Sequence, residues 1–268
     1  MLVYLLLTFI TVFLGMLVVS PFSENYPTSE KTAFRNHVCL IGIFFLLWYV
    51  SAFRIGIGND YYKYVEFINR ITFRSYVPTE PGFNALVRFC NLLFGNENYF
   101  AIFAMIGGIT IFIFLWTIYA ESPDFSLSFF LFMALGIYFQ TLNTIRYYLA
   151  LSLVLFALKQ LNRPQPDYFS FLLITLFSSL FHKSALIAIP FYLLIAKITQ
   201  LSLPAAKTSS YFSHPLKHQP AEIASSQNPN QKSSAWKNLL LYPYFSGFIC
   251  VTSLLSLLIC VSSFYLRD

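Results

Sequence analysis

The sequence predicts an all-α, polytopic integral membrane protein, and three observations predict it: the composition, the length of the charge-free windows, and the sparse polar residues at their edges. Of 268 residues, 57% are hydrophobic, 19% aromatic and only 10% charged. A single soluble globule of that composition would leave an extensive apolar surface uncovered. A bilayer core about 30 Å thick needs roughly 20 apolar helical residues at 1.5 Å each. Five windows of about this length carry no Lys, Arg, Asp or Glu: Met1 to Ser23, Val38 to Phe53, Asn98 to Ala120, Phe125 to Ile145 and Asn238 to Leu266.

Taken in order, the first window reads as a retained span. It lacks the basic n-region of a signal peptide, and Ser20-Pro21-Phe22 is not a small-residue cleavage site. The second window ends at Phe53 and opens a long segment, residues 54–97, that reads as ordered. After Asp60, the apolar residues Tyr61, Tyr64, Val65, Ile68 and Ile71 recur at helical spacing, with Lys63, Glu66 and Arg70 on the other face. From Phe83 to Phe94 a polar stripe of Asn84, Arg88 and Asn91 opposes Phe83, Leu86, Val87, Cys90 and Leu93. These two stretches predict interfacial amphipathic helices that roof one mouth of the bundle.

Beyond the third and fourth windows come three shorter ones, Tyr147 to Leu158, Tyr168 to Phe181 and Ser184 to Ala196. Arg146, Lys159, His182, Lys183 and Lys197 flank them and can snorkel toward an interface, so they are expected to be spans and the total is about eight. A loop rich in Ser, Pro, Gln, Asn and Lys over residues 201–237 then separates a core of residues 1–200 from a last span in 238–268.

Several function classes drop out. The net charge of +6 is dispersed over connecting segments, not gathered as a stripe on one soluble module, so nucleic acid is not the expected partner. Cys39, Cys90, Cys250 and Cys260 have no metal-ligand spacing, and no nucleotide-binding glycine loop is present, so neither metal nor cofactor is expected.

What remains are polar landmarks at span edges. Counting crossings puts Arg54, Asp60, Arg146 and His182 on one face of the membrane, because two spans separate Arg54 from Arg146 and two more separate Arg146 from His182. Arg54-Ile55-Gly56-Ile57-Gly58-Asn59-Asp60 joins the second span to the first surface helix, and its glycines permit close approaches that side chains would block. Asp60 reads equally as an N-cap or a functional carboxylate, and Arg54 as a ligand or a snorkelling cation. Gln140, Asn143 and Arg146 follow at three-residue steps amid Tyr138, Tyr147 and Tyr148. A guanidinium there offers a planar fork that suits paired phosphate oxygens and keeps its charge when buried. Glu80, in Pro78-Thr79-Glu80-Pro81-Gly82, is either a turn residue or a carboxylate held by its prolines. His182 interrupts two apolar runs with the side chain that titrates near neutrality, as an interfacial hydrogen-bonder or a base.

The ordered set of Arg54 through Asp60 to Tyr64, Glu80-Pro81-Gly82-Phe83, Tyr138-Phe139 with Asn143-Thr144-Ile145-Arg146 and Leu149-Ala150, and Phe181-His182-Lys183-Ser184-Ala185-Leu186 resembles the EpsG family of Wzy-like exopolysaccharide polymerases over roughly residues 1–200. The resemblance implies a multi-pass protein of the bacterial inner (cytoplasmic) membrane. It implies a glycosyltransferase-type polymerase in exopolysaccharide, capsule or biofilm-matrix synthesis, joining oligosaccharide units carried on undecaprenyl diphosphate at the outer face. The lipid-linked oligosaccharide, membrane lipids and other assembly and export proteins would be its partners. Arg54, Arg146, Asn143 and Tyr64 are then the expected substrate-binding residues, and Asp60, Glu80 and His182 the candidates for the catalytic base. The alternatives are a non-catalytic membrane subunit, or a lipid-linked glycan transporter, which would show charged or broken helices near the bilayer midplane, features not evident in the sequence.

Alternating loops assign nine basic residues, from Lys31 to Lys237, to one side and eight, from Arg54 to Arg267, to the other. Because Arg54 and Arg146 sit at helix ends and Lys63, Arg70 and Arg74 in a structured segment, the first set is the freer topogenic charge and belongs in the cytoplasm. In a background without native cysteines, Asp60→Cys and Lys183→Cys are therefore expected to label with an impermeant maleimide in intact cells, and Pro220→Cys to stay unlabelled. The reverse pattern would invert the orientation, and a mixed one would break the span count.

Overall fold

One close helix pair is made possible by two adjacent glycines. The computed structural model describes residues 2–21, 30–161, 163 and 165–202. In it, α1 is Leu2–Met16, α2 is Glu30–Ala52 and α5 is Tyr99–Glu121. A Cβ on Gly107 of α5 would come within 2.1 Å of Ser51 Oγ on α2, and one on Gly108 within 3.1 Å of the Trp48 ring. Small residues let backbones approach where lipid gives apolar side chains no advantage in associating. The approach is pinned by the Trp48 indole N–H, which donates to the Ala104 carbonyl at 2.8 Å.

Among the described residues every regular element is helical. Of these helices α2 and α5, at 23 residues each, are long and apolar enough to cross a membrane, whereas α1, α6 (Phe125–Ala134) and α9 (Tyr168–Ser179) are apolar but shorter. The outward faces fit a lipid solvent. Leu5, Phe9 and Phe13 on α1, Phe34, Ile41 and Phe45 on α2, and Phe169, Leu173 and Leu176 on α9 are all exposed. Faces this apolar require a non-aqueous surrounding or a partner.

The window expected as one span from Phe125 to Ile145 is broken. After α6 the chain turns at Gly136, whose φ of 72° is left-handed, and resumes as the short α7, Ile137–Thr141. A side chain at that φ would cost about 1–2 kcal/mol. The two pieces still run back along α1, since Ser126 Oγ donates to the Gly15 carbonyl and the rings of Phe139 and Tyr4 meet edge to face at 5.7 Å. The next helix, α8 (Ile145–Leu161), packs on both α5 and α9. A 3₁₀ turn, Lys183–Ile187, leads into α10, Ala188–Ser202. The polar loop expected over 201–237, apart from its first two residues, and the span expected in 238–268 lie outside the described residues.

Both amphipathic helices are present, as α3, Tyr61–Thr72, and α4, Pro81–Phe94. Tyr64, Ile68 and Ile71 are buried on α3, and Phe83, Val87 and Cys90 on α4, as the periodicity requires. The polar stripe of α4 behaves differently from a solvated face. Asn91 Nδ2 donates to Thr72 Oγ1 on α3 at 2.8 Å, while Phe89, Leu92 and Leu93 point outward. Two short helices stacked at a bundle mouth need a specific bond between them, and an apolar outer face suits an interfacial location.

The glycine contact makes a measurable claim. Gly107→Leu is expected to overpack the α2–α5 seam and destabilise the detergent-solubilised protein by about 1–3 kcal/mol. Gly42→Ala, whose new Cβ meets only Leu14 Cδ1 at an ordinary 3.6 Å, should leave the melting temperature unchanged or raise it. Equal melting of both variants would show that the close approach is not what joins these helices.

Candidate active site

Three segments remote in sequence meet at one end of the bundle. Pro81 occupies the first turn of α4 and fixes its start, so Glu80 takes the N-cap position in an extended conformation (φ −68°, ψ 149°) and spends no side-chain bond on capping. The start of α4 is held against the end of α9 by the Gly82 N–H, which donates to the Leu180 carbonyl at 2.8 Å. A Cβ on Gly82 would lie 2.7 Å from that oxygen, so only glycine permits the approach. Glu80 is thereby aimed across the bundle mouth at Arg146, in the first turn of α8, and at His182, just before the 3₁₀ turn.

Glu80 is 9% exposed and uses both oxygens. Oε2 is ion-paired with Arg146 Nη1. Oε1 lies 3.3 Å from His182 Nδ1, without the alignment of a hydrogen bond, and accepts a long bond from the Lys183 backbone N–H at 3.5 Å. The Arg146 guanidinium sits 5.6 to 5.9 Å from the rings of Tyr64, Phe67 and Phe83, an aromatic box that favours a cation. Its Nε–H has no acceptor among the described residues. The His182 ring meets the edge of Tyr147 at 5.5 Å and keeps about a third of its side-chain surface open.

The electrostatics follow from this packing. Burial pushes the His182 pKa below the ordinary imidazole value and Arg146 adds to that push, while Glu80 opposes both. The ring is therefore neutral at neutral pH. Burial raises the Tyr64 phenol, with Arg146 pulling against it and Asp60 adding to the rise.

Of the other expected site residues, Arg54 and Asn143 form a second set, around the turn that precedes α8. Arg54 is 2% exposed, donates through Nη1 to the Leu142 carbonyl and stacks on Phe103 with its guanidinium carbon 4.4 Å from the ring centre. Burial lowers its pKa to about 10, which leaves it charged at neutral pH. Asn143 Oδ1 accepts from the Asn59 N–H at 3.1 Å. Gly58, at φ 95°, is the close approach that permits this, since a Cβ there would meet both Asn143 Oδ1 and the Leu142 oxygen at 2.8 Å. Asp60 stands at the start of α3, half-buried and without a side-chain capping bond. Tyr64 lies between the two sets, felt electrostatically by Arg54, Arg146 and Asp60. Sequence reasoning missed Phe67 and Phe83 as walls for Arg146, Tyr147 as the support of His182, and the Gly82–Leu180 contact. Phe67 was visible only as part of an amphipathic helix, Phe83 also as the end of the Glu80-Pro81-Gly82-Phe83 motif, and nothing local in the sequence marks the Gly82–Leu180 meeting.

A mouth that gathers a carboxylate, a boxed guanidinium and a neutral imidazole on an apolar helical bundle defines a membrane protein with a polar site at one end. Residues 37–212 match the EpsG family, and the chain belongs to it, which places it among exopolysaccharide-related membrane proteins. No curated protein and no solved structure matches the chain significantly.

Removing one member of a buried ion pair leaves the other charge uncompensated, at a cost of about 3–5 kcal/mol when burial is complete and less where water reaches the pair. Glu80→Gln is therefore expected to lower the melting temperature clearly. The double variant Glu80→Gln with Arg146→Met should recover part of the loss. Identical melting of the single and double variants would mean that water already screens the pair.

Proposed function

We propose that this chain polymerises undecaprenyl-diphosphate-linked oligosaccharide repeat units in exopolysaccharide or capsule synthesis, as a glycosyltransferase-type enzyme working at the outer face of a bacterial cytoplasmic membrane that it crosses about eight times. The observation that carries this reading is the meeting of Glu80, Arg146 and His182 at one bundle mouth, within a family tied to exopolysaccharide. Membrane lipids surround the bundle, and other assembly and export proteins are its partners.

Each group has a task its surroundings suit. A glycosyl transfer from a lipid diphosphate needs a base for the acceptor hydroxyl and positive charge for the departing diphosphate. His182 is neutral and partly open, and its Nδ1 faces the Glu80 carboxylate. That pairing favours the tautomer with the proton on Nδ1 and leaves Nε2 to accept the hydroxyl proton. The acceptor oxygen attacks the anomeric carbon as the bond from that carbon to the diphosphate oxygen breaks, and the electron pair leaves with the diphosphate. The proton held on His182 is then passed on to the diphosphate or to solvent. Glu80 orients the imidazole and Arg146 together, which makes it the positioning carboxylate. Arg146 gives one edge to Glu80, and in this reading the remainder of its fork takes the diphosphate oxygens. Arg54 and Asn143 support the turn that precedes Arg146, and Asp60 and Tyr64 complete the rim on the α3 side.

The break at Gly136 is the one feature that recommends transport, since transporters bind substrate at interrupted helices. Its surroundings do not. Phe129, Phe132, Met133, Ile137 and Tyr138 near the break are buried apolar side chains, residues 125–145 contain no charged side chain, and the neighbouring Arg54 is committed to the Leu142 carbonyl.

In a polymerase-deleted strain complemented with this chain, Arg146→Lys is expected to reach the membrane at the wild-type level yet lose most polymer, leaving single lipid-linked units. Lysine keeps the charge but lacks the planar fork, and a misplaced diphosphate impairs orientation as well as binding. Excess lipid-linked substrate should therefore restore the output only in part. Wild-type chain lengths from Arg146→Lys would reduce Arg146 to an interfacial cation and overturn its assignment. Single units that even the unaltered chain cannot extend would favour a non-catalytic subunit.

A further inference from the structure

Among the described residues eight buried side-chain polar atoms lack a hydrogen-bond partner, and four of them belong to Arg146, Tyr147, His182 and Ser184. Beside Arg146 Nε and His182 Nδ1, already given roles, the Tyr147 hydroxyl and Ser184 Oγ are buried with no hydrogen-bond partner among the described residues. Tyr147 is 7% exposed, follows Arg146 directly on α8, and sets its ring against His182. Ser184 lies in the 3₁₀ turn two residues after His182, and that turn packs on α8 and α10. From α10, Tyr192, itself 3% exposed, comes close enough for its phenol to interact electrostatically with that of Tyr147. A buried hydroxyl without a partner costs about 1–3 kcal/mol. One such group against the imidazole, and a second in the turn that follows it, therefore invite a ligand that supplies hydrogen bonds.

We propose that the Tyr147 and Ser184 hydroxyls form the polar floor of a subsite for the acceptor sugar, below a rim made by His182 and Arg146. The chemistry points to a hydroxyl-rich ring. Hydroxyl donors beside buried tyrosine rings match a sugar, which presents alternating hydroxyls on its edge and C–H groups on its face. Either hydroxyl can donate or accept, so the pair suits neutral sugar hydroxyls, whereas the anionic diphosphate is left to the guanidinium of Arg146. The open part of His182 at the rim then lies beside the hydroxyl to be deprotonated, and Tyr147 sets which hydroxyl of the ring that is. This subsite rests on the polymerase reading and gives that reading its acceptor specificity.

Full-length protein in lipid nanodiscs, supplied with lipid-linked single repeat units extracted from a polymerase-deleted strain, provides the test. Tyr147→Phe keeps the ring against His182 and removes only the oxygen, and Ser184→Ala removes the other. Each is expected to raise KM roughly three- to tenfold, the worth of one neutral hydrogen bond, with kcat within about twofold of wild type. Melting without substrate should be unchanged or slightly higher, because a group without a partner has been deleted. The rise in melting temperature caused by the repeat units should shrink in both variants. Polymer made with unaltered KM and an unaltered shift would overturn the subsite alone. A lower melting temperature for substrate-free Tyr147→Phe would also overturn it, by showing that the hydroxyl is bonded within the fold. No polymer from the unaltered chain, together with a shift that still depends on Tyr147, would overturn the polymerase reading and leave the sugar subsite standing.

Discussion

The Glu80 carboxylate is the constraint on which the site depends. It is buried, it is charged, and it lies among helices with apolar cores, so it must be satisfied by other parts of the chain. Arg146 supplies the counter-charge from α8, and the Lys183 N–H and the His182 ring supply the rest from the far side of α9. One carboxylate therefore fixes the mutual position of α4, α8 and the turn into α10. The cost of desolvating it explains why the local backbone is so tightly specified. Pro81 sets the helix start, and Gly82 lies against the Leu180 carbonyl at a distance no side chain tolerates. A flexible approach would waste the ion pair in conformational entropy.

The opposite end of the bundle is held mainly by neutral hydrogen bonds, with one ion pair. Ser20 Oγ donates to the Ser122 carbonyl at 2.6 Å, Asn36 exchanges hydrogen bonds with both the N–H and the carbonyl of Val19, and Lys159 meets Glu121 at 3.3 Å. Asp124 and Asp167 cap α6 and α9 through their side chains. These contacts satisfy helix ends, which otherwise expose backbone groups that lipid cannot solvate. At the site end the caps are less complete: Asp60 and Glu80 stand at cap positions without side-chain capping bonds. Carboxylates committed to capping at one end are released from it at the other, where Glu80 meets Arg146 and His182 and an amide, Asn98, caps α5.

Much of this was legible in the sequence, because much of it is local. The helical periods of α3 and α4 and the close approach made by a glycine of the 54–60 segment follow from spacing. What escaped depended on distance along the chain or on a single backbone angle. Gly136 sits in an apolar run whose composition is that of an unbroken helix, and only its left-handed φ divides α6 from α7. The α4 asparagines spaced as a solvated stripe include Asn91, whose acceptor-bearing partner Thr72 lies on another helix. Glu80 read as a turn residue or a held carboxylate, since nothing in Pro78-Thr79-Glu80-Pro81-Gly82 announces a partner 66 residues away. Helix lengths were less legible still: α8, α9 and α10 run 17, 12 and 15 residues, against 23 for α2 and α5.

The two arginines that looked equivalent in the sequence are handled by the fold in opposite ways. Arg54 is sealed beneath Phe103 with a backbone carbonyl as its bonded partner, and a cation so buried keeps its charge only because guanidinium is so strong a base. It joins the end of α2 to the Leu142–Asn143 turn from which α8 begins, so its work is delivered through the position of Arg146. Arg146 is boxed by rings yet retains a carboxylate, and among the described residues the Nε–H of each arginine lacks a partner. A cation in that condition is stable in the closed fold and still able to take an anion without first breaking a backbone contact. The division of labour explains why both residues stand at span edges while one of them faces the site. The inner guanidinium holds the turn and the outer one is held by Glu80 at the bundle mouth, and a lysine in either place would lose the planar geometry that each contact uses.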